Sequence, residues 1–362
     1  MVLLTLELES ERGMAMNNIE KVRDDAPSVE YEFKPDDFEF VGDKVDITKD
    51  EVMPATPFWK DVFKRFKSNK GAVIGGICIL VIIIMAIVMP MISSYDYNAV
   101  DTAQQSMAPR IPIIEKLGIL DGSTHGFNKY ANDTYANVYH IFGTDTLGRD
   151  LWTRVWYGAR ISLFVAAAAV LIDIFIGMVY GMISGFFGGK VDSIMQRFQE
   201  IVNSIPTLVI LTLLLLVLRP SLFTIILALM ITGWIGMARI TRAQVLKIKE
   251  QEFVLASRTL GAGSFFIIFK EVLPNIFGQL IIMSMFSIPN AIFYEAFLAF
   301  VGLGIPAPAA SLGTLINDGY KSILVSPYMV VIPVVVLAIL MLSFNLLADG
   351  LRDAFDPKMK EM

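Results

Sequence analysis

Six stretches of this chain are long and apolar enough to cross a bilayer, and that leaves few folds open to it. They occupy residues 71–93, 160–187, 193–218, 221–238, 277–301 and 325–348. Crossing roughly 30 Å of hydrocarbon takes about 20 helical residues. Lipid offers no partner to an unpaired backbone N–H or C=O, so each run is read as a helix. The fold class expected is all-α, a polytopic membrane protein with six transmembrane helices. Composition agrees, with 55% hydrophobic and 18% charged residues and a mean hydropathy of +0.59, far from a soluble domain. The third and fourth runs are parted only by Arg219, Pro220 and Ser221 and are expected to form a tight helical hairpin.

Orientation follows from basic residues in short flanking segments. The first run is preceded by "WKDVFKRFKSNK", with five basic residues in twelve, which are expected to stay in the cytoplasm. Residues 94–159 then form an extracytoplasmic loop, and both termini lie inside. Residues 160–348 make a five-helix core, its inside loop at 239–276 carrying Arg239, Arg242, Lys247, Lys249, Arg258 and Lys270, and residues 349–362 form a cytoplasmic tail with Arg352, Lys358 and Lys360. The segment 59–93 combines a basic cytoplasmic helix with the first span. Residues 1–58 are different material: fifteen acidic against six basic side chains, a net of −9, leave +4 for the rest of a chain whose total is −5. That acidic, Pro-containing stretch has no apolar signal-peptide core and is expected to be a largely disordered cytoplasmic extension. Within it, "ESERGMAMNN" contains a Glu-Arg-Gly that a purine-rich, ribosome-binding-like run can encode, which makes Met14 or Met16 an alternative start and residues 1–13 non-native.

Several chemistries are not expected. One cysteine, Cys78, lies inside an apolar run, so neither a disulfide framework nor a Cys-based metal site is available. Two histidines, His125 and His140, both in the outer loop, make no convincing metal site. The nearest approach to a phosphate-binding loop, "GFFGGKVD" at 185–192, lacks the glycine spacing and has no Ser or Thr after Lys190. No nucleophile–base constellation stands out, and nucleic acid is not expected among the partners, which are membrane lipid and proteins.

Some polar and small residues do fall in the apolar runs. Asp173 in the second and Glu295 in the fifth are costly in lipid; they either line or gate a solute pathway or hold helices together. Glu200 lies near the cytoplasmic end of the third. Gly177, Gly181, Gly185 and Gly189 recur every four residues and share one helical face, which permits close backbone approach. That face suits packing within the chain and contact with a second subunit equally.

The segment "EFVLASRTLGAGSFFIIFKEVLPN", 252–275, is too polar to span and too regular for a slack loop. Its first part reads as a short helix with small Ala256 and Ser257, ended by Gly261 in a left-handed conformation. A second short helix is expected from an N-cap at Ser264, with Leu273-Pro274 breaking the chain before the next span. A loop helix of this length is marginal alone in water, so docking is expected.

This segment resembles the cytoplasmic signature of binding-protein-dependent ABC importer permeases: Glu-Ala-Ala, three residues, Gly, nine residues, Ile-x-Leu-Pro. Here the pattern falls on Leu255-Ala256-Ser257, Gly261 and Glu271-Val272-Leu273-Pro274, departing from it at Leu255, Ser257 and Glu271. "FGTDTLGRDLWTRVWYGARISL", "GWIGMARITRAQVL", "EAFLAFVGLG", "SLGTLINDG" and "NLLADGLRDAFDPK" are similar to the C-type subunit of the oligopeptide and dipeptide branch, over residues 58–358.

The resemblance implies a type I ABC importer permease fold in which 252–274 is a coupling helix region seated on a separate ATPase. Glu252, Ala256, Ser257, Arg258, Gly261, Leu273 and Pro274 would carry that coupling. Gly261 would allow the turn, Ala256 and Ser257 the close approach, and Pro274 the re-entry angle. It further implies a B-type permease partner, two ATPase subunits that hold ATP and Mg, an extracellular peptide-binding lipoprotein and a peptide substrate. The resemblance implies no cofactor or metal on this chain, and a non-enzymatic transport subunit of the bacterial cell membrane. Asp145, Gly148, Arg149 and Asp150 either contact a partner or serve as loop scaffold. A dipeptide, nickel, glutathione or opine cargo, or a proton-coupled transporter without ATPases, are the alternative readings.

Overall fold

A computed structural model describes residues 58–355 except 113, 119, 125 and 126. The acidic extension, the alternative start, His125 and the last seven residues lie outside the described residues.

The chain opens with two helices, α1 (Phe58–Ser68) and α2 (Lys70–Ile92). Asn69 between them accepts the N–H of Ala72 on its side chain, 3.1 Å away, and caps α2. The outer loop that follows holds a two-stranded antiparallel ribbon, β1 (Ser123–Thr124) with β2 (Phe127–Asn128). The second span, α3 (Leu151–Phe187), starts nine residues earlier than the apolar pattern suggests and is 37 residues long. At 1.5 Å per residue that is about 55 Å, so it projects well beyond the hydrocarbon.

Asp150 sets that start. One carboxylate oxygen accepts the N–H and the hydroxyl of Thr153, both at 2.8 Å, and the other lies 2.7 Å from Nδ1 of His140. The far nitrogen of His140 lies 2.7 Å from Oε1 of Gln104. Nearby, Asp145 accepts the N–H groups of Leu147 and Arg149 at 2.9 Å, and the Tyr328 hydroxyl donates to the Thr144 carbonyl at 3.0 Å. Asp145, Gly148, Arg149 and Asp150 are all buried. Asp150→Ala removes a helix cap and leaves a buried imidazole short of a partner. A loss of about 3 kcal/mol is expected, measurable as a lowered unfolding midpoint in detergent with the α-helical signal intact.

The third expected span is not one helix. Residues 189–218 fold as α4 (Gly189–Asn203) and α5 (Thr207–Leu218), bent by 73°. Pro206 forces the residue before it out of helical conformation, and α4 is amphipathic, with Lys190, Asp192, Gln196, Arg197 and Glu200 along its length. At about 18 Å, α5 alone is too short to cross. Among the described residues, five helices therefore have the length and apolarity of a span, and the bent pair, taken as one span, brings the number to six.

The remaining elements are α6 (Leu222–Ile248), capped by Ser221, the short α7 (Glu252–Thr259), the 40-residue α8 (Ser264–Leu303), α9 (Leu312–Tyr320) and α10 (Tyr328–Phe355). The expected break at Leu273-Pro274 is absent. A π-helical turn at Ile267–Val272 runs straight into the span, and the N–H of Leu273 bonds to the carbonyl of Ile268. The widened turn relieves the clash that proline makes with an α-helical carbonyl, so Pro274 sits at the start of a regular helix. Nor does Ser264 cap: the N-cap position is Gly263, and no side chain bonds there.

The most extensive helix pair is α3 with α6. A β-carbon at Gly177 would lie 2.6 Å from Cβ of Met237, one at Gly181 2.5 Å from the Ala238 carbonyl, and one at Gly185 2.9 Å from Cβ of Val245. The stripe is thus spent on packing within the chain. Gly189 does not belong to it, because the helix ends at Phe187 and a β-carbon on Gly189 meets nothing within 4 Å.

Candidate coupling interface

At the end of the bundle where α3 and α6 terminate lies α7. Its only buried residue is Val254, which is fully enclosed and packs with Met182, Phe186, Val245, Ile267, Ile268 and Val272. Burying one such side chain contributes about 2 kcal/mol. Two further contacts steer the helix. The Arg258 guanidinium stands 5.0 Å over the ring of Phe186, and the hydroxyl of Ser257 donates to Glu271. Ser257 and Glu271 both depart from the family pattern, and here they bond to each other.

The stop signal is local. The N–H of Gly261 bonds to the carbonyl of Arg258 and the N–H of Ala262 to that of Ser257, each at 3.0 Å. Gly261 has φ +83°. This is the paired bonding of a glycine-terminated helix, as the sequence led one to expect.

What remains exposed is distinctive. Glu252, Phe253, Leu255, Ala256 and Arg258 are solvent-facing, Leu260 is 88% exposed and Phe265 75%, with Phe266 and Phe269 beside them. Leu273 is half-buried against the cluster around Val254 and Pro274 is exposed. An apolar patch with a charged rim is the composition of a surface that a protein or a membrane covers.

Behind α7 lies a polar knot that the linear pattern did not reveal. Asp192 of α4 takes both prongs of Arg242 from α6, Nε to Oδ1 at 2.6 Å and Nη2 to Oδ2 at 2.5 Å, and also accepts the hydroxyl of Ser184 from α3 at 2.5 Å. Lys249 donates to the carbonyl of Gly185 at 2.8 Å. Asp192 and Arg242 are fifty positions apart, so no spacing rule flags them. The knot thus ties α3, α4 and α6 to one another, and Arg258 of α7 stacks on Phe186 of α3. Arg242→Ala is expected to cost about 2 kcal/mol, discounted because both side chains keep some solvent contact. Arg242→Lys should recover only part of that, lacking the two-pronged geometry; thermal unfolding of both variants checks it.

The two intramembrane carboxyls are enclosed. Glu295 is fully buried where α3, α8 and α9 meet; Ser162 donates to its Oε2 at 2.8 Å and accepts the N–H of Leu312 at 3.3 Å, while Oε1 has no partner. Asp173 is 7% exposed and lies against Gly233 of α6, its Oδ1 unpaired. Neither lines the cavity of about 770 Å³ at the opposite end of the bundle. Among the described residues no His, Cys, Asp and Glu cluster could hold a metal ion.

Comparison with known proteins matches this chain to a family. The model described as "Binding-protein-dependent transport system inner membrane component" matches residues 177–361, and that described as "N-terminal TM domain of oligopeptide transport permease C" matches residues 57–109. The oligopeptide transport system permease protein OppC of Bacillus subtilis is 44% identical over 303 residues, 84% of this chain and 90% of that protein. The dipeptide transport system permease protein DppC of the same organism is 42% identical over 85% of this chain and 88% of its own length. In Lactococcus lactis subsp. cremoris, the dipeptide permease protein DppC is 42% identical over 90% and 98%. A solved inward-facing structure of the MetNI methionine ABC transporter aligns with 54% of this chain and 94% of its own, at 21% identity and a TM-score of 0.43. By its matched regions and relatives, this chain is a multi-pass inner-membrane protein belonging to the family of binding-protein-dependent transport system inner membrane components.

Proposed function

We propose that this chain is the C-type permease subunit of an ATP-driven importer that carries oligopeptides across the bacterial cell membrane. The observation that carries this reading is the position of α7. It is a short helix held to the ends of α3 and α6 by one buried valine and one stacked arginine, with an apolar outer face. In this reading a separate ATPase covers that face, the ATP and Mg reside on two such subunits, and their closure pushes α7. The polar knot at Asp192 passes the push to three helices at once. A B-type permease completes the pathway, and an extracellular binding lipoprotein delivers the peptide. Both chain termini then lie in the cytoplasm, on the side of α7. Dipeptides are the second cargo, since dipeptide permeases are 42% identical to this chain.

The test is a mild-detergent purification of tagged chain from native membranes, with identification of co-purifying proteins and peptide uptake measured with and without ATP. Recovery of a second permease, two ATPases and a lipoprotein with ATP-dependent uptake is expected. A chain that came out alone and moved peptide on a proton gradient would overturn the proposal. Asp173→Ala and Glu295→Ala separate pathway from packing roles. Unchanged uptake of both charged and neutral peptides assigns these carboxyls to helix packing, and a selective loss for charged peptides assigns them to the pathway.

A further inference from the structure

At the end of the bundle opposite α7 is a cavity of about 770 Å³, lined by the start of α3, the turn after α5, the last turn of α8 and the face of α9. That is within the ~300–1,000 Å³ typical of ligand sites. Its walls carry an unbalanced charge. Arg149 and Arg154 have side chains 8% and 2% exposed, and they share one carboxylate, Asp145, at 2.7 and 3.5 Å. Arg154 spends one nitrogen on the Tyr97 carbonyl at 3.2 Å, and its buried Nε makes no hydrogen bond. Asp150 offers no relief, its oxygens being taken by Thr153 and His140. Arg154 also sits in the first turn of α3, where the helix itself favours an anion as neighbour. A third arginine, Arg219, reaches the cavity from the turn after α5 and pairs with no carboxylate among the described residues. The acidic residue in the lining, Asp318, is exposed, lies 3.7 Å from Lys321 and also attracts Arg154.

Three guanidinium groups, two of them enclosed, face two carboxylates, Asp145 and the exposed Asp318, so the cavity keeps an excess of positive charge that favours an anion. Arginine forks match the two oxygens of a carboxylate. We propose that this cavity is a carboxylate site, and that it takes the C-terminal carboxylate of a peptide as it enters the permease. The assignment of the carboxylate to a peptide rests on the cargo reading above. Peptides of any sequence share that one group, so a site reading it alone holds cargo without selecting side chains.

The test uses the assembled importer in lipid nanodiscs, with Cys78→Ser and Thr146→Cys in this chain. Thr146 is exposed and lines the cavity. Labelling of this chain by a sulfonate-bearing and a trimethylammonium-bearing methanethiosulfonate is followed by mass. The sulfonate reagent is expected to react about tenfold faster, as a cation-lined cleft concentrates anions, and Arg219→Gln should cut that preference severalfold. A peptide with a free C-terminus should slow labelling, and the same peptide amidated should not. In uptake, Arg219→Gln should raise the KM of the free acid relative to the amide about tenfold.

Equal rates for the two reagents would overturn the anion site. Equal protection by acid and amide would overturn the carboxylate assignment. Protection by peptide-free binding protein alone would assign the carboxylate to a docked protein instead and overturn the peptide. If the parent complex takes up no peptide while the sulfonate preference persists, the cargo reading fails and the anion cavity stands.

Discussion

Gly181→Leu is expected to remove this subunit from the membrane. A β-carbon at that position would lie 2.5 Å from the carbonyl oxygen of Ala238 and 2.6 Å from Cβ of Thr241, and leucine adds three carbons beyond it. The obstacle is backbone on a neighbouring span, which has no rotamer by which to yield. Helix association within a bilayer depends on such close packing, because burial from lipid supplies no hydrophobic drive. Overpacking of this kind costs more than about 3 kcal/mol, a large share of a domain's stability. Gly189→Leu is the control: its β-carbon has open space, and only the left-handed backbone at φ +53° resists, for about 1–2 kcal/mol. Abundance in membranes and detergent unfolding of the two variants give the comparison. Similar losses at both positions would sink the assignment of the stripe to the α3–α6 contact.

The second large effect is expected at Gly261, and it is a loss of coupling with the fold retained. Nothing lies within 4 Å of a β-carbon there, and φ is +83°, so aspartate strains the turn by about 1–3 kcal/mol without a clash. The subunit should still insert and assemble. The new carboxylate, however, stands beside Leu260 and Phe265, on the face proposed to be covered by an ATPase, where an unpaired charge is expensive to bury. A penalty of about 3 kcal/mol at that contact lowers uptake roughly 100-fold while ATP hydrolysis by the partner continues. Gly261→Ala carries the same backbone strain without the charge and should retain most uptake. Uptake at the normal rate by an assembled Gly261→Asp importer would disprove this account of the glycine.

Much of the coupling region was legible because its determinants are local. A helix ended by a left-handed glycine needs only the few residues around Gly261, and those bonds formed as expected. The misreadings share one cause. Pro274 is a break by its own chemistry, yet the π-helical segment Ile267–Val272 absorbs it. Pro206 lies inside one continuous apolar run, yet that run bends by 73° there. Gly189 matched the four-residue repeat, yet the helix stops two residues before it. A proline or glycine states what its own backbone permits, and whether the chain bends, widens or stops there depends on what packs alongside. The departures at Ser257 and Glu271 read as separate losses in the linear pattern and are partners in space.

The apolar runs by themselves determined an all-helical membrane protein, and the local pattern around Gly261 determined a short terminated helix between two of them. Period, length and backbone conformation are properties of neighbouring residues, which is why they can be read without a structure. Tertiary structure alone decided that the glycine stripe faces α6, that Glu295 is sealed against Ser162, and that Asp192 clasps Arg242. It also decided that Arg149, Arg154 and Arg219 converge on one cavity with too few carboxylates around it. Contacts between residues tens to over a hundred positions apart are set by how whole helices pack, and the chain carries no local mark of that.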